Sequence, residues 1–368
     1  MLEMMKIRYQ PDITMRQNAE AFWTWFASHA DAYDQGFLAD SIDYKCLAKE
    51  MSVALCKVSN GLGWCFGPAM DKNGHHLAFS PEGKPDFMLI AEYLVSMAPS
   101  LKRWEFYPTK PGGVGGKTLE VEGQQFHLCD IQIALTPDEE KEMPSLVAHH
   151  PLFAEMNHDT QMRILFIALD ECLGESGTEN QLSCIETSSS SLEHCFPMSE
   201  LAEQLRRFYD VQEWIMPQIG PAWTSLTYKH PDDRLPFPRA DLIAATTCHP
   251  QLSAVYHRKR GAFDDPVVIF GAAYMFAMFP INILPKGQEV SIREQIEDNL
   301  DGALRSQNAG MVFGGGSGAV NSYIDIMITA GRTSIDVLAG QLQAMQLGVP
   351  VEVMFFDQRL RRERIVVR

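Results

Sequence analysis

The sequence is poor in positive charge, and this bounds the partners it can have. Of its 368 residues, 31 are lysine or arginine and 47 are aspartate or glutamate, so the formal net charge is −16. Such a charge repels nucleic-acid phosphates, which argues against general DNA or RNA binding. It favours a basic partner, whose approach it would speed, or it serves only solubility.

Close cysteine pairs and metal-binding patterns are also missing. The eight cysteines form no Cys-x-x-Cys pair, and the histidines form neither His-Glu-x-x-His nor His-x-His. In the adjacent pairs His75-His76 and His149-His150, neighbouring side chains diverge on a strand and on a helix alike, so neither pair suits one ion. We therefore expect reduced, buried cysteines, no metal and no cofactor.

No uninterrupted apolar run is long enough to cross a membrane. The most apolar segment, 266–284, is broken by Pro280 and contains Asn282, so we interpret it as a buried strand and its exit. The first residues lack the apolar centre of a signal peptide. These features predict a cytoplasmic protein with no membrane segment.

Apolar periodicity predicts the order α-β-β-α-β in the first part of the chain and β-α-β-β-α-β in the last. The two C-terminal helices are predicted to be capped by Ser291 and by Thr333 or Ser334. The two parts align without a gap from Gly63 on Gly310 to Glu105 on Glu352. We interpret this as an internal repeat.

The middle third fits the same pattern loosely. Strands are predicted at "FHLCDIQIALTP", "RILFIALDECLG" and "QLSCIETS", and helices near 144–155 and 198–209. The chain is long enough for two or three domains. We predict an α+β fold of two or three ferredoxin-like (split β-α-β) sandwich modules with antiparallel sheets. Their boundaries are predicted at 1–123, 124–215 and 264–368, with an irregular linker over 216–263.

Two glycine-rich stretches raise the question of a ligand. "KPGGVGGKT" (110–118) ends like a phosphate-binding loop, but the strand-like alternation "LEVE" follows where such a loop needs a helix. "GGGSGAVNS" (314–322) is predicted as a loop between two strands, either a bulged hairpin or a place of close ligand approach. The candidate ligand-binding residues are Gly314, Gly315, Gly316, Ser317 and Tyr323.

A second candidate site rests on carboxylates and histidines, since no Gly-x-Ser-x-Gly elbow is present. "LDECLGE" supplies Asp170, Glu171 and Glu175, which could do acid–base work or form a solvated strand end. With His149 and His150, Asp170 defines an alternative small-ligand or enzymatic site.

Several motifs in order resemble an uncharacterised bacterial family. They are "FWTWFASHADAY", "GLGWCFGP", "LAFSPEGKPDF", "APSLKRWEFYPTKP" and "LDECLGE", within about residues 20–210. The family is known only as a domain of unknown function, and it is loosely similar in fold to ribonuclease E inhibitor-like proteins. The resemblance implies a ferredoxin-like, non-catalytic protein and brings no catalytic residues.

The leading hypothesis is a non-catalytic binding protein of the inhibitor, adaptor or immunity type. Its partner would be another protein, possibly a basic one, and no catalytic residue is assigned. The alternative is an enzyme or small-ligand binder that uses the 314–318 stretch or His149, His150 and Asp170. The oligomeric state is left open.

Overall fold

The structure is a computed structural model that describes residues 3–4, 9–70, 73–113, 118–121, 124–217, 220–228 and 237–368. The centre of "KPGGVGGKT" and part of the predicted linker lie outside these residues. Contacts divide the chain into two compact units. Unit 1 comprises Met1–Leu62, Lys84–Pro99 and Trp223–Arg368, and unit 2 comprises Gly63–Gly83 and Ser100–Ala222. A division by contacts does not test which parts of the chain fold independently, so the predicted domain boundaries stay a prediction.

The described residues form helices and strands in comparable measure, so the predicted α+β class is confirmed. The α-helices are α1 (Met15–Leu38), α2 (Tyr44–Leu55), α3 (Pro85–Ser96), α4 (His158–Leu173), α5 (Glu175–Asn180), α6 (Leu201–Gln212), α7 (Pro250–Arg258), α8 (Glu289–Ser306) and α9 (Arg332–Ala344). No helix among the described residues is long and apolar enough to cross a membrane.

The strands fall into several sheets. In chain order they are β1 (Glu3–Met4), β2 (Gly63–Pro68), β3 (His75–Ser80), β4 (Trp104–Tyr107), β5 (Thr118–Val121), β6 (Gln124–His127), β7 (Gln132–Asp138), β8 (Met143–His149), β9 (Cys184–Ser188), β10 (Phe196–Pro197), β11 (Thr224–Thr227), β12 (Leu242–Thr247), β13 (Ala273–Pro280), β14 (Gly310–Gly318), β15 (Asn321–Ile328), β16 (Val351–Phe355) and β17 (Arg364–Val367). The predicted strand in 266–284 is thus present as β13.

Unit 1 is built on one antiparallel sheet, in the order β1-β17-β16-β13-β15-β14-β12-β11. Within it, β13, α8, β14, β15, α9 and β16 follow one another in the predicted order. Their strands lie as β16-β13-β15-β14, with the last beside the first. The region 216–263 contributes β11 and β12 to this sheet, so it holds regular structure.

Alternation along the strands explains how this sheet buries its apolar residues. Ala273, Met275, Ala277 and Phe279 of β13 share one face, because strand side chains alternate. They form one core with the apolar stripes of α8 and α9, which include Leu300, Leu304, Ile335 and Leu338. The other face also carries buried residues, among them Tyr274 and Phe276.

The predicted helix caps are wrong. Helix α8 begins at Glu289 after Gln288, so Ser291 lies inside the first turn and its hydroxyl donates to the Gln288 carbonyl over 3.1 Å. Helix α9 begins after Gly331, whose φ of 54° suits glycine. The Ser334 hydroxyl there bonds to backbone groups of the strand ends instead.

The predicted repeat holds in element order but not in sheet structure. In the first part β2 pairs antiparallel with β3, whereas β4 pairs parallel with β3. In the last part, β13 lies between β16 and β15 and pairs with both. Moreover, α3 belongs to unit 1 while its flanking strands belong to unit 2. An antiparallel sheet in the first part was therefore a wrong prediction.

The middle third departs furthest from the prediction. Residues 143–149 form β8 and not a helix, with buried and half-buried residues alternating. "RILFIALDECLG" lies in α4 and not in a strand, since Ile164, Leu165, Ala168 and Leu169 are buried at helical spacing. The sheet order is β10-β7-β8-β9, with β9 parallel to β8. This part therefore lacks the predicted ferredoxin-like order and antiparallel sheet.

The cysteines are free thiols, but most of them are not buried as predicted. Those exposed to solvent are Cys46, Cys56, Cys129, Cys184 and Cys195, whereas Cys248 alone is buried. Cysteine beside apolar residues can face solvent, as Cys184 does in the edge strand β9. Its apolar neighbours in sequence therefore did not indicate its burial.

Candidate functional site

An acidic pocket of about 430 Å³ lies within unit 2. Four carboxylates line it, from Glu82, Asp170, Glu175 and Glu179, and apolar side chains, including Phe166, Leu182 and Ile185, complete the wall. Glu175 is buried with 8% of its surface exposed, Asp170 is half-buried, and Glu82 and Glu179 are exposed. We call this cavity the acidic pocket. The carboxyls of the pocket therefore range from the buried Glu175 to the exposed Glu82 and Glu179.

The corner between α4 and α5 places three of these carboxyls. Gly174 forms it with a φ of 77°, and a Cβ there would lie 2.7 Å from the Lys110 carbonyl oxygen. Only glycine avoids that overlap and the strained backbone. Asp170 lies in the last turn before the corner. Glu175 and Glu179 follow it, one helical turn apart on the same side of α5.

The start of "KPGGVGGKT" is packed against this corner. The Lys110 carbonyl accepts a hydrogen bond from the Glu175 amide over 3.1 Å, and the Gly113 amide donates to the Glu171 carbonyl over 2.9 Å. The Lys110 ammonium also forms an ion pair with Glu171. As predicted, no helix starts at Thr118, where β5 begins. The described part of this stretch supports the pocket and builds no phosphate loop.

The "SPEG" turn supplies the facing side of the pocket. The Glu175 Oε1 atom accepts hydrogen bonds from the Ser80 hydroxyl over 3.0 Å and from the Glu82 amide over 2.9 Å. The Glu175 Oε2 atom is buried and has no hydrogen-bond partner among the described residues. Two motifs far apart in sequence, "SPEG" and "LDECLGE", therefore meet at one carboxyl group. One of its oxygens is held in place and the other is unsatisfied.

The pocket raises the pKa values of three of its carboxyls. Burial is the main cause that raises the pKa of Asp170, Glu175 and Glu179 above the ordinary range. The charge of Asp170 raises the pKa of Glu175 further, and both raise that of Glu179. The three groups are close enough to repel one another. Such a cluster can carry a proton or hold a cationic group.

The predicted glycine loop is part of a strand. Gly314, Gly315 and Gly316 lie inside β14, paired on one side with β12 and on the other with β15. Neighbouring groups explain the absence of side chains. A Cβ on Gly315 would lie 1.9 Å from the Glu297 Oε1 atom, and one on Gly314 would lie 2.7 Å from the Thr247 hydroxyl oxygen. The glycines admit these groups close to the strand.

Two other predicted ligand residues are held by the same sheet. The Ser317 hydroxyl accepts a hydrogen bond from Arg293 over 2.9 Å, and the buried Tyr323 hydroxyl donates to Asp241. Both contacts lie within unit 1. They give each residue a structural role, and ligand binding there stays a prediction.

The structure does not bring His149 and His150 into the pocket with Asp170. His149 Nδ1 lies 3.0 Å from the Ser188 carbonyl oxygen, and His150 Nδ1 accepts from the Leu152 amide over 3.2 Å. Burial lowers the pKa of His150. The described residues contain no group of three or more His, Cys, Asp or Glu placed to hold a metal ion.

A histidine–aspartate pair that sequence analysis did not single out is present in unit 1. His249 Nε2 lies 2.7 Å from Asp86 Oδ1, and the Tyr274 hydroxyl donates to the same oxygen over 2.8 Å. His249 Nδ1 accepts from the Leu252 amide at the start of α7. Both ring nitrogens are thus engaged, and the arrangement ties α7, α3 and β13 together.

The sequence motifs indicated Asp170 and Glu175 but not Glu82 or Glu179. The spacing of Glu175 and Glu179 would have indicated a shared helical face, had the segment been predicted as helical. No local signal connects Glu82 with them, because the "SPEG" turn reaches Glu175 only through the tertiary fold.

Comparison with known proteins found no matching family model, no matching curated protein and no matching solved structure. The resemblance to a bacterial family therefore stays a hypothesis.

Proposed function

We propose that this chain is a regulatory binding protein that captures a positively charged side chain of a basic partner protein in the acidic pocket. The observation that carries the proposal is the Glu175 carboxyl, which is 8% exposed and has an unpartnered Oε2 atom beside Asp170 and Glu179. The proposal is of the inhibitor, adaptor or immunity type, in a cytoplasmic setting.

The chemistry of the pocket supports an ammonium or guanidinium group as ligand. A buried carboxylate without a cationic partner is costly, and a cation close to it offsets that cost. Phe166, Leu182 and Ile185 offer apolar surface for the methylene stem of lysine or arginine. The net charge of −16 would attract a basic protein from a distance. Ligand, pocket and overall charge are therefore complementary.

The fold of the C-terminal part fits a binding scaffold. We include in the proposal that β13 to β16 with α8 and α9 form a ferredoxin-like module, since their chain order and strand order follow that pattern. The likeness to ribonuclease E inhibitor-like proteins belongs to the same proposal and rests on fold analogy.

A direct binding measurement tests the proposal. Butylammonium and butylguanidinium should bind the full chain and raise its Tm, whereas uncharged butanol should not. At 100 times the Kd, a ligand stabilises by about 2.7 kcal/mol. Glu175→Gln should weaken binding at least about tenfold, which is 1.4 kcal/mol. Glu140→Gln, an equal charge change at an exposed turn of unit 2, is the control. Equal binding of the cations by the unaltered chain, by Glu175→Gln and by Glu140→Gln would refute the proposal.

A second function is favoured by the raised pKa of Asp170, because enzymes tune buried carboxyls upward for acid catalysis. In that case Asp170→Asn should abolish the phenotype that the gene confers while partner binding persists. Under the binding proposal, phenotype and binding should weaken together. Binding should also weaken with rising salt, since screening slows the encounter of opposite charges.

A further inference from the structure

The acidic pocket extends to an edge strand. Besides its carboxyls, it is lined by Ser183 and by Cys184 and Ile185, the first two residues of β9. Successive side chains of a strand point to opposite faces. A cavity that touches consecutive residues therefore lies along the edge of the strand and not against one face alone.

The outer edge of β9 offers backbone groups for pairing. Strand β9 ends the order β10-β7-β8-β9, and it pairs in parallel with β8 from Ser145↔Cys184 to His149↔Ser188. Within the described residues, no strand pairs with its other edge. Such an edge presents free N–H and C=O groups to an added strand. Addition of an extended peptide to an edge is a recurrent mode of recognition.

We infer that the partner binds as an extended segment that adds to β9 and places a lysine or arginine in the acidic pocket. This inference rests on the proposed function and specifies the form of the ligand. The charge of the pocket argues for this occupant over an apolar or acidic segment. Backbone pairing would supply affinity, while the pocket would select the residue.

The exposed face of β9 predicts a sequence pattern in the partner. Cys184 and Glu186 lie on the same face, with Sγ and Oε1 3.8 Å apart, and both are exposed. Residues two apart on an added strand also share a face. A second basic residue, two positions from the first, would then face Glu186 and form a cross-strand pair with it. The expected motif alternates basic residues with neutral ones.

The test uses the full chain and short blocked peptides. The first peptide alternates lysine with threonine. The second has the same sequence with N-methyl groups on the backbone, the third has norleucine for lysine, and the fourth has its lysines adjacent. We expect the first to bind at least about tenfold more tightly than each of the others, a difference of 1.4 kcal/mol. Binding should also protect amides of Cys184–Ser188 from hydrogen exchange.

Variants separate the inference from the function on which it rests. Glu186→Gln should weaken the alternating peptide but leave butylammonium binding unchanged, whereas Glu175→Gln should weaken both. Glu140→Gln is again the control. If butylammonium binds and N-methylation has no effect, strand addition is wrong while the proposed function stands. If N-methylation abolishes binding and Glu175→Gln has no effect, the pocket function is wrong.

Two further outcomes would overturn the inference. The first is that neither butylammonium nor any peptide binds, which would refute the function together with the inference. The second is a dimer that dissociates on Glu186→Gln and resists the peptide. This would show that a second copy of the chain occupies the β9 edge.

Discussion

Two buried charged sites, one in each unit, are compensated differently. In unit 1, Arg239 is fully buried and binds Asp325 through both terminal nitrogens. Its guanidinium carbon lies 5.0 to 5.4 Å from three aromatic ring centres, of Phe276, Tyr323 and Phe356. In unit 2, the ion pairs of the described residues include Lys110 with Glu171, but none includes Asp170, Glu175 or Glu179.

The difference separates a buried charge that is compensated within the chain from buried carboxyls that would bind a cation under the proposed function. Removing one partner of a buried pair leaves an uncompensated charge, so such a pair resists change. An unpartnered carboxyl loses nothing comparable when it is neutralised. It gains instead from a cation supplied from outside the chain. The first arrangement is structural, and the second is suited to binding.

The largest expected effect is on the buried pair of unit 1. Asp325→Asn removes the charge that compensates Arg239, so we expect a loss of about 3–5 kcal/mol in the free energy of unfolding. The matched control is Asp336→Asn, which breaks the exposed pair with Arg332 and should cost about 0.2–1 kcal/mol. Urea unfolding of both variants measures the difference. Equal small losses would remove the contrast between the units.

The next effect concerns the corner that builds the pocket. Gly174 and Gly113 have φ angles of 77° and 76°, so alanine strains the backbone equally at both. A Cβ at Gly174 overlaps the backbone of the 110–112 segment, whereas one at Gly113 meets no atom of the described residues within 4 Å. Gly174→Ala should therefore cost about 1–3 kcal/mol more than Gly113→Ala. It should also weaken butylammonium binding; thermal unfolding and calorimetry check both.

A smaller effect of opposite sign is expected at Glu175. Glu175→Gln replaces an unpartnered charge by a neutral group and keeps an acceptor for Ser80 and the Glu82 amide. A neutral buried group costs less than a charged one. Without ligand at pH 8, the free energy of unfolding should rise, by less than about 1.5 kcal/mol. A fall as large as that expected for Asp325→Asn would show that Glu175 is structural.

A further effect is a dependence of stability on pH. Burial raises the pKa of Asp265 to about 7, and it raises the pKa of Glu175 as well. Such groups keep their proton in the folded state after the unfolded chain, with a carboxyl pKa of about 4, has released it. Their stabilisation is present below that pH and is lost as pH rises through the folded pKa.

Denaturation in urea at pH 5 and at pH 8 tests this dependence. The contribution of these carboxyls to the free energy of unfolding should be lower at pH 8, by at most about 1.4 kcal/mol per group and pH unit. It is measured as the difference between the unaltered chain and Asp265→Asn or Glu175→Gln, because buried histidines such as His150, whose pKa is lowered, change stability in the opposite direction. Butylammonium should reduce the difference, because it favours the ionised pocket, whereas sodium at equal ionic strength should not. The same change of stability from pH 5 to pH 8 in both variants and in the unaltered chain would contradict the raised pKa values.

Local pattern predicted much of the fold but little of the site. In the first part, α2, β2, β3, α3 and β4 follow the predicted order α-β-β-α-β. The order from β13 to β16 was evident from alternation and helical stripes. By contrast, α4 was mistaken for a strand, because a short apolar run suits either structure. Without a predicted helix at this point, the four-residue spacing of Glu175 and Glu179 did not indicate that they share a face.

The sequence by itself determined which segments are helices and strands wherever apolar period, turn residues and length agree, since these act over a few neighbouring residues. The tertiary structure alone decided that β4 lies parallel to β3, because strand partners are selected by contacts across the fold. Tertiary contacts also explain why β14 contains glycine, because Glu297 and Thr247 approach this strand from other elements. The acidic pocket was also decided by the tertiary structure, because Ser80, Glu82 and Glu175 meet only after folding. Folding leaves the Glu175 Oε2 atom without a hydrogen-bond partner among the described residues.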